Sequence, residues 1–68
     1  MEVNTKKIRV LMAYNLLSQS ELAKVASLSK STVNSMLKKG NCSRITVGKV
    51  ATALSIEPKE IITMTEEV

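Results

Sequence analysis

Few side chains in this sequence can do covalent or acid-base chemistry. It has no histidine, a single cysteine, Cys42, and acids that are all glutamate. Without an imidazole, neither the thiol nor any serine has a neighbouring base to activate it as a nucleophile. The only adjacent carboxylates, Glu66 and Glu67, sit at the C-terminal end, and Gly40 and Gly48 are too isolated to build a glycine-rich phosphate loop. One thiol excludes an intramolecular disulfide, and a zinc site would have to be assembled from carboxylates and that thiol. A chain of 68 residues also has little room for a water-excluding pocket. The expectation is a protein with no catalytic centre, no metal and no cofactor. Groups that hydrogen-bond without reacting are plentiful instead: Lys30, Ser31, Thr32, Asn34 and Ser35, then Lys38, Lys39, Asn41, Ser43 and Arg44.

The charge points to a polyanion. The net charge is +4, but residues 1–56 are basic throughout, and the last twelve residues set Glu57, Glu60, Glu66 and Glu67 against Lys59. A basic body with an acidic end faces a polyanion on one side and something else on the other. Tyr14 is the one aromatic residue, so the stacking platforms of single-strand and RNA-recognition modules are missing. No apolar run approaches the roughly 20 residues needed to span a bilayer, and Met1 does not introduce a signal peptide. The expected setting is soluble and cytoplasmic, and the Met1 start with an acidic end suggests a whole small protein.

The elements that must carry these groups are helices. Asn4 caps a first helix over about 5–15, with Ile8, Leu11, Met12 and Leu16 inward and Lys6, Lys7 and Arg9 as a solvated face. Ser18 and Glu21 form a capping box that starts a second helix over 19–26, burying Leu22, Ala23 and Ala26. Ser29 caps a third over 30–39, with Val33, Met36 and Leu37 inward and Gly40 as its left-handed stop. Ser43 caps a fourth over 44–54 through Val47, Val50, Ala51 and Leu54, and Pro58 opens a short fifth over 58–64. Nothing alternates with period two. The expected fold is all-α: one five-helix domain over 1–68, ending in an acidic tail at 65–68, with the methionines Met12 and Met36 as core fillers.

Two short helices joined by a tight turn, the second rich in exposed Ser, Thr, Asn and Lys, are the arrangement that lays a helix in the major groove of DNA. Counted from Gln19, the pattern wants apolar residues at its fourth, eighth, tenth, fifteenth and eighteenth positions and a small one at its fifth. Leu22, Ala26, Leu28, Val33, Met36 and Ala23 meet it. With these residues the chain resembles the phage repressor and Cro type of helix-turn-helix family, the lambda repressor-like domains. Leu17 to Ala23 is similar to that family's second-helix start, and Thr46 to Leu54 followed by Pro58 to Ile62 is similar to its fourth and fifth helices. Ser27 departs from it, standing where the family usually has a glycine of positive φ, at a cost of about 1–2 kcal/mol.

The resemblance implies a small transcriptional regulator of phage or mobile-element type that binds a palindromic operator in double-stranded DNA as a homodimer. It implies that Lys30, Ser31 and Ser35 project toward the bases, with Thr32 and Asn34 beside them. Lysine donates to guanine O6 and N7, and asparagine pairs with adenine. Gln19 would meet a phosphate at the start of the second helix, and Lys38, Lys39, Asn41, Ser43 and Arg44 would clamp the backbone, fixing register without reading sequence. Ile61, Ile62 and Met64 are the candidate dimer contacts; the other reading of the isoleucines is that they close the core. The alternative function is a module of the same fold that docks on a repressor partner, suggested by a recognition helix without arginine and by the acidic C-terminal end.

Overall fold

The structure is a computed structural model and describes residues 1–63. Its helices are α1 (Thr5–Tyr14), α2 (Gln19–Val25), α3 (Lys30–Lys39) and α4 (Arg44–Ala53), followed by a 3-10 turn over Pro58–Glu60. There are four α-helices among the described residues rather than five.

Each helix begins on a side chain that satisfies an otherwise orphaned amide. Asn4 Oδ1 accepts from the Lys7 amide at 3.0 Å, Ser29 Oγ from Thr32 at 3.0 Å and Ser43 Oγ from Thr46 at 3.2 Å. At α2 the box is reciprocal: Ser18 Oγ accepts from the Glu21 amide at 3.1 Å while Glu21 Oε1 accepts from the Ser18 amide at 2.8 Å. Such a cap contributes about 1 kcal/mol, which matters for helices this short.

The C-terminal ends share a second device. Leu16, Ser27 and Ser55 have φ of 56°, 58° and 58°, each just past the capping residue of α1, α2 or α4. At each, the amide after the left-handed residue reaches back five residues, Leu17 to Met12 O, Leu28 to Ala23 O and Ile56 to Ala51 O, at 2.8, 2.8 and 3.0 Å. This is the double-bonded Schellman stop, and its following residue, Leu17, Leu28 or Ile56, packs against the core. The chain therefore turns sharply three times without glycine. Gly40, at φ 75°, ends α3 by the simpler single bond from its amide to Met36 O. The left-handed turn at Leu16 reverses the expected burial there: Leu16 is thrown outward, and Leu17 packs in its place.

The core joins Ile8 and Met12 of α1, Leu22 and Ala23 of α2, Val33, Met36 and Leu37 of α3, and Val47, Val50 and Ala51 of α4, with Leu54. Two further members are Val3 and Ile61, from outside any α-helix. The expected fifth helix over 58–64 stops after one 3-10 turn because the next residues leave for a different partner. Asn4 donates to Ile61 O at 2.7 Å and Thr63 to Glu2 O at 3.0 Å, which opposes Val3 to Ile62 in an isolated antiparallel bridge. A chain committed to that bridge cannot continue a helical ladder. Ile61 is fully buried, so as a dimer contact it is corrected to a core residue, and Ile62 is half-buried. Met64 and the expected acidic tail at 65–68 lie outside the described residues. No helix among the described residues is long and apolar enough to cross a membrane.

Candidate nucleic-acid interface

The helix pair that presents the polar groups is held by apolar contacts of unequal size. α2 packs most extensively on α3. Ala23 is small and buried, and it shares one buried cluster with Leu22, Val33 and Met36. Because three- and four-residue steps of α3 place Val33, Met36 and Leu37 inward, the remaining positions turn outward together. Lys30, Ser31, Asn34, Lys38 and Lys39 are exposed, and Thr32 and Ser35 flank them half-buried.

Two concavities run along the sides of this outward face. One is lined by Gln19 of α2 with Lys30, Ser31 and Asn34. The other lies between α3 and the loop to α4 and is lined by Ser31, Thr32, Ser35, Lys39, Asn41 and Ser43, together with Met36, Cys42 and Thr46. Ser31 borders both. The first two turns of α3 are thus a ridge, with an amide side chain of α2 on one flank and a polar loop on the other. Of the expected contact residues, Lys38 and Arg44 line neither concavity; Arg44 borders a third one with Val25, Ser27, Ile45 and Lys49, between the α2–α3 turn and α4.

Hydrogen bonding already commits some of these groups. Ser29 Oγ and Thr32 Oγ1 are 2.7 Å apart, and Ser43 donates to Thr46 Oγ1 at 3.1 Å while accepting from the Thr46 amide. Ser43 is first a cap. Its hydroxyl proton is already engaged, whereas Ser31, Asn34 and Lys30 project from the exposed ridge. The Glu21 carboxyl is held below the usual carboxylate range by the Ser18 amide first and the Ser18 hydroxyl second. It therefore stays ionised and fixed at the start of α2, beside Gln19. Burial pushes the Cys42 thiol up, so it remains neutral in the loop. Among the described residues, no group of three or more histidine, cysteine, aspartate or glutamate side chains could hold a metal ion.

A basic, exposed helix ridge carried by a capped helix pair is the geometry of a DNA-reading helix-turn-helix. Residues 7–67 match the family model of the Cro/C1-type HTH DNA-binding domain. The chain belongs to that family. As a Cro/C1-type helix-turn-helix chain it is a DNA-binding protein of the transcription-regulator class, and its DNA is double-stranded. Its fold is similar to that of the restriction-modification controller protein C.AhdI from Aeromonas hydrophila. The two are 37% identical with a TM-score of 0.75, over 82% of this chain and 86% of that one. Among curated protein sequences, none matches the chain.

Sequence reasoning missed the N-terminal segment. Val3 is buried, and the Met1 and Val3 backbones bond to the loop that follows α3. The available signal was Val3 itself, an apolar residue placed just ahead of the Asn4 cap. It also missed Cys42 and Thr46 as lining residues, since a loop's curvature is not written in residue spacing.

Proposed function

We propose that this chain is a sequence-specific transcriptional regulator that binds a palindromic operator as a homodimer, with α3 in the major groove. The observation that carries the reading is the meeting of Gln19 with Lys30, Ser31 and Asn34 on one exposed concavity. Lys30 and Asn34 are the base readers, with Ser31, Thr32 and Ser35 adding shorter contacts, and Gln19 bonds a phosphate beside them. Lys38, Lys39, Asn41 and Ser43 grip the backbone, and Arg44 reaches a more distant phosphate. The similarity to C.AhdI supports a restriction-modification controller as its setting. One helix of this length reads only a few base pairs. Two half-sites, roughly 34–36 Å apart or a multiple of that, supply the missing specificity.

Selection from a random duplex pool tests binding, site sequence and half-site spacing together. The expected product is an inverted repeat whose affinity falls steeply with salt. Recovery of no preferred sequence refutes the operator reading.

A second reading, docking on a repressor protein, draws on an apolar stripe of α1 and its end, where Val10, Tyr14 and Leu16 are 60%, 86% and 86% exposed. Replacing Lys30 and Ser31 together by Glu separates the two. Loss of regulation in cells along with DNA binding supports the operator reading, and regulation that survives supports the docking one.

A further inference from the structure

The loop from Gly40 to Ser43 joins α3 to α4 and carries two of the proposed phosphate contacts, Asn41 and Ser43. Its backbone is held from outside the helix pair. Val3 donates to Gly40 O at 2.9 Å, Cys42 donates to Met1 O at 3.0 Å, and the Met1 nitrogen donates to Cys42 O at 3.0 Å. Asn41 therefore lies directly opposite Glu2 in an antiparallel bridge. The other edge of the same segment bonds to Ile61–Thr63, through Asn4 to Ile61 O and Thr63 to Glu2 O. Val3, 6% exposed, anchors the segment in the core between the two. These residues precede the stretch that matches the family model, which starts at residue 7.

We propose that Met1–Asn4 is a positioning segment for DNA binding, which sets the Gly40–Ser43 loop against the backbone of the operator and ties it mechanically to Ile61–Thr63. The inference rests on the DNA-binding reading above. A short loop between two helices has few internal bonds, and an exposed loop samples many conformations unless its amides and carbonyls are engaged. Here one backbone edge of Gly40–Cys42 is fully engaged by the segment, so Asn41 and Ser43 are presented in one place before DNA arrives. Because the segment is bonded on both edges, the loop and Ile61–Thr63 open together. Among the described residues, none of the segment's hydrogen bonds goes to a side chain of α3. Its loss therefore weakens grip and leaves reading intact.

The test compares Val3→Pro with Val3→Ala in the full chain. Proline removes the amide that holds Gly40 and keeps most of the buried carbon. Alanine keeps the amide and loses carbon. Affinity for the selected duplex is measured across salt concentrations in which circular dichroism shows both variants folded. Val3→Pro is expected to bind roughly tenfold more weakly than Val3→Ala, with the slope of log K against log salt reduced by roughly 0.9 for each lost phosphate contact. The ranking of operator variants is expected to stay unchanged. Equal affinities and slopes, or an altered ranking, overturn the proposal. Amide exchange of the unmodified chain supplies a readout that needs neither DNA nor a folded variant. The Cys42 and Thr63 amides should exchange through one shared opening, with protection equal within a few fold, and independent exchange overturns the tie. Absence of any preferred duplex for the unmodified chain would instead refute the functional reading, while the exchange result still decides whether loop and C-terminal residues are joined.

Discussion

The three left-handed, non-glycine residues at helix ends make a strong test of the backbone reasoning, and Ser27 is the sharpest of them. Its φ of 58° is fixed by the bonds from Ser27 to Lys24 O at 3.2 Å and from Leu28 to Ala23 O at 2.8 Å, so the turn between α2 and α3 cannot relax without losing both. An L-residue in that region costs about 1–2 kcal/mol. Glycine adopts it freely but has a more disordered unfolded chain, which takes back about 0.4–1 kcal/mol. Ser27 is exposed, so replacing it loses no buried surface. The net expectation for Ser27→Gly is a gain of about 0.5–1 kcal/mol. For a domain of this size that is a rise in Tm of roughly 2–8 °C. Urea and thermal unfolding by circular dichroism read it directly. Gly40→Ala is the reciprocal experiment. At φ 75° a Cβ would meet Thr5 Cγ2 at 3.9 Å and Val3 O at 4.0 Å, ordinary contacts, so only backbone strain is added and stability should fall by a similar amount. The two substitutions must move stability in opposite directions. If Ser27→Gly is neutral or destabilising while Gly40→Ala is tolerated, the helix-stop argument is wrong.

Other outcomes follow from the same contacts. Leu16→Gly and Ser55→Gly should each add to Ser27→Gly nearly independently, because their stabilising bonds share no partner. Glu21, whose carboxyl is depressed by the Ser18 amide and hydroxyl, contributes its stabilisation above the ordinary glutamate range and loses it as pH falls through the lowered value. The difference in urea midpoint between the natural chain and Glu21→Gln should therefore shrink on acidification, and a difference independent of pH would refute the capping role. Ile61→Val should cost about 0.5–1.5 kcal/mol by loss of buried carbon. That cost should be the same at every protein concentration, since Ile61 lies in the core of one chain; a concentration-dependent cost would place it in an interface. Lys30→Ala should relax base preference at one operator position by about 1–3 kcal/mol, whereas Lys39→Ala should weaken all duplexes alike and lower the salt slope by about one.

Most of the fold was legible because its punctuation is local. Asn4, Ser18, Ser29 and Ser43 stand three residues before the amides they cap, and that spacing is visible in the letters. The inward sets of α2, α3 and α4 follow from three- and four-residue periodicity. Two features were not legible, for one reason. The stop after Pro58–Glu60 and the burial of Val3 arise from pairing between residues about sixty positions apart, and no local rule connects Val3 with Ile62. Periodicity read Ile61 and Ile62 as a helical pair, but the bridge sets one in the core and the other at its edge. Leu16 shows the limit at shorter range: helical spacing favours it over Leu17, but the left-handed stop rotates the chain by one residue and exchanges them.

The proposed contact residues divide along the same line. Lys30, Ser31 and Asn34 could be placed on the outward side of α3 by helix periodicity, and Gln19 was brought in by the family resemblance; the structure lines all four on one concavity. Asn41, Ser43 and Arg44 could not be so placed, since their directions depend on a loop. The structure draws Asn41 and Ser43 to the α3 concavity and sends Arg44 to the far side of α4's first turn. The separation has a consequence for binding. A duplex laid along α3 meets Lys39, Asn41 and Ser43 continuously, so those residues should share one run of phosphates. Arg44, paired in space with Lys49, offers a second positive point beyond it. Substituting Arg44 should therefore lower affinity additively with Lys39, because they share no concavity. Asn41 and Lys39 border the same groove and should be non-additive. Double-mutant cycles on the selected duplex distinguish the two cases: a coupling between Arg44 and Lys39 as large as that between Asn41 and Lys39 would mean that DNA approaches along a different axis of α3.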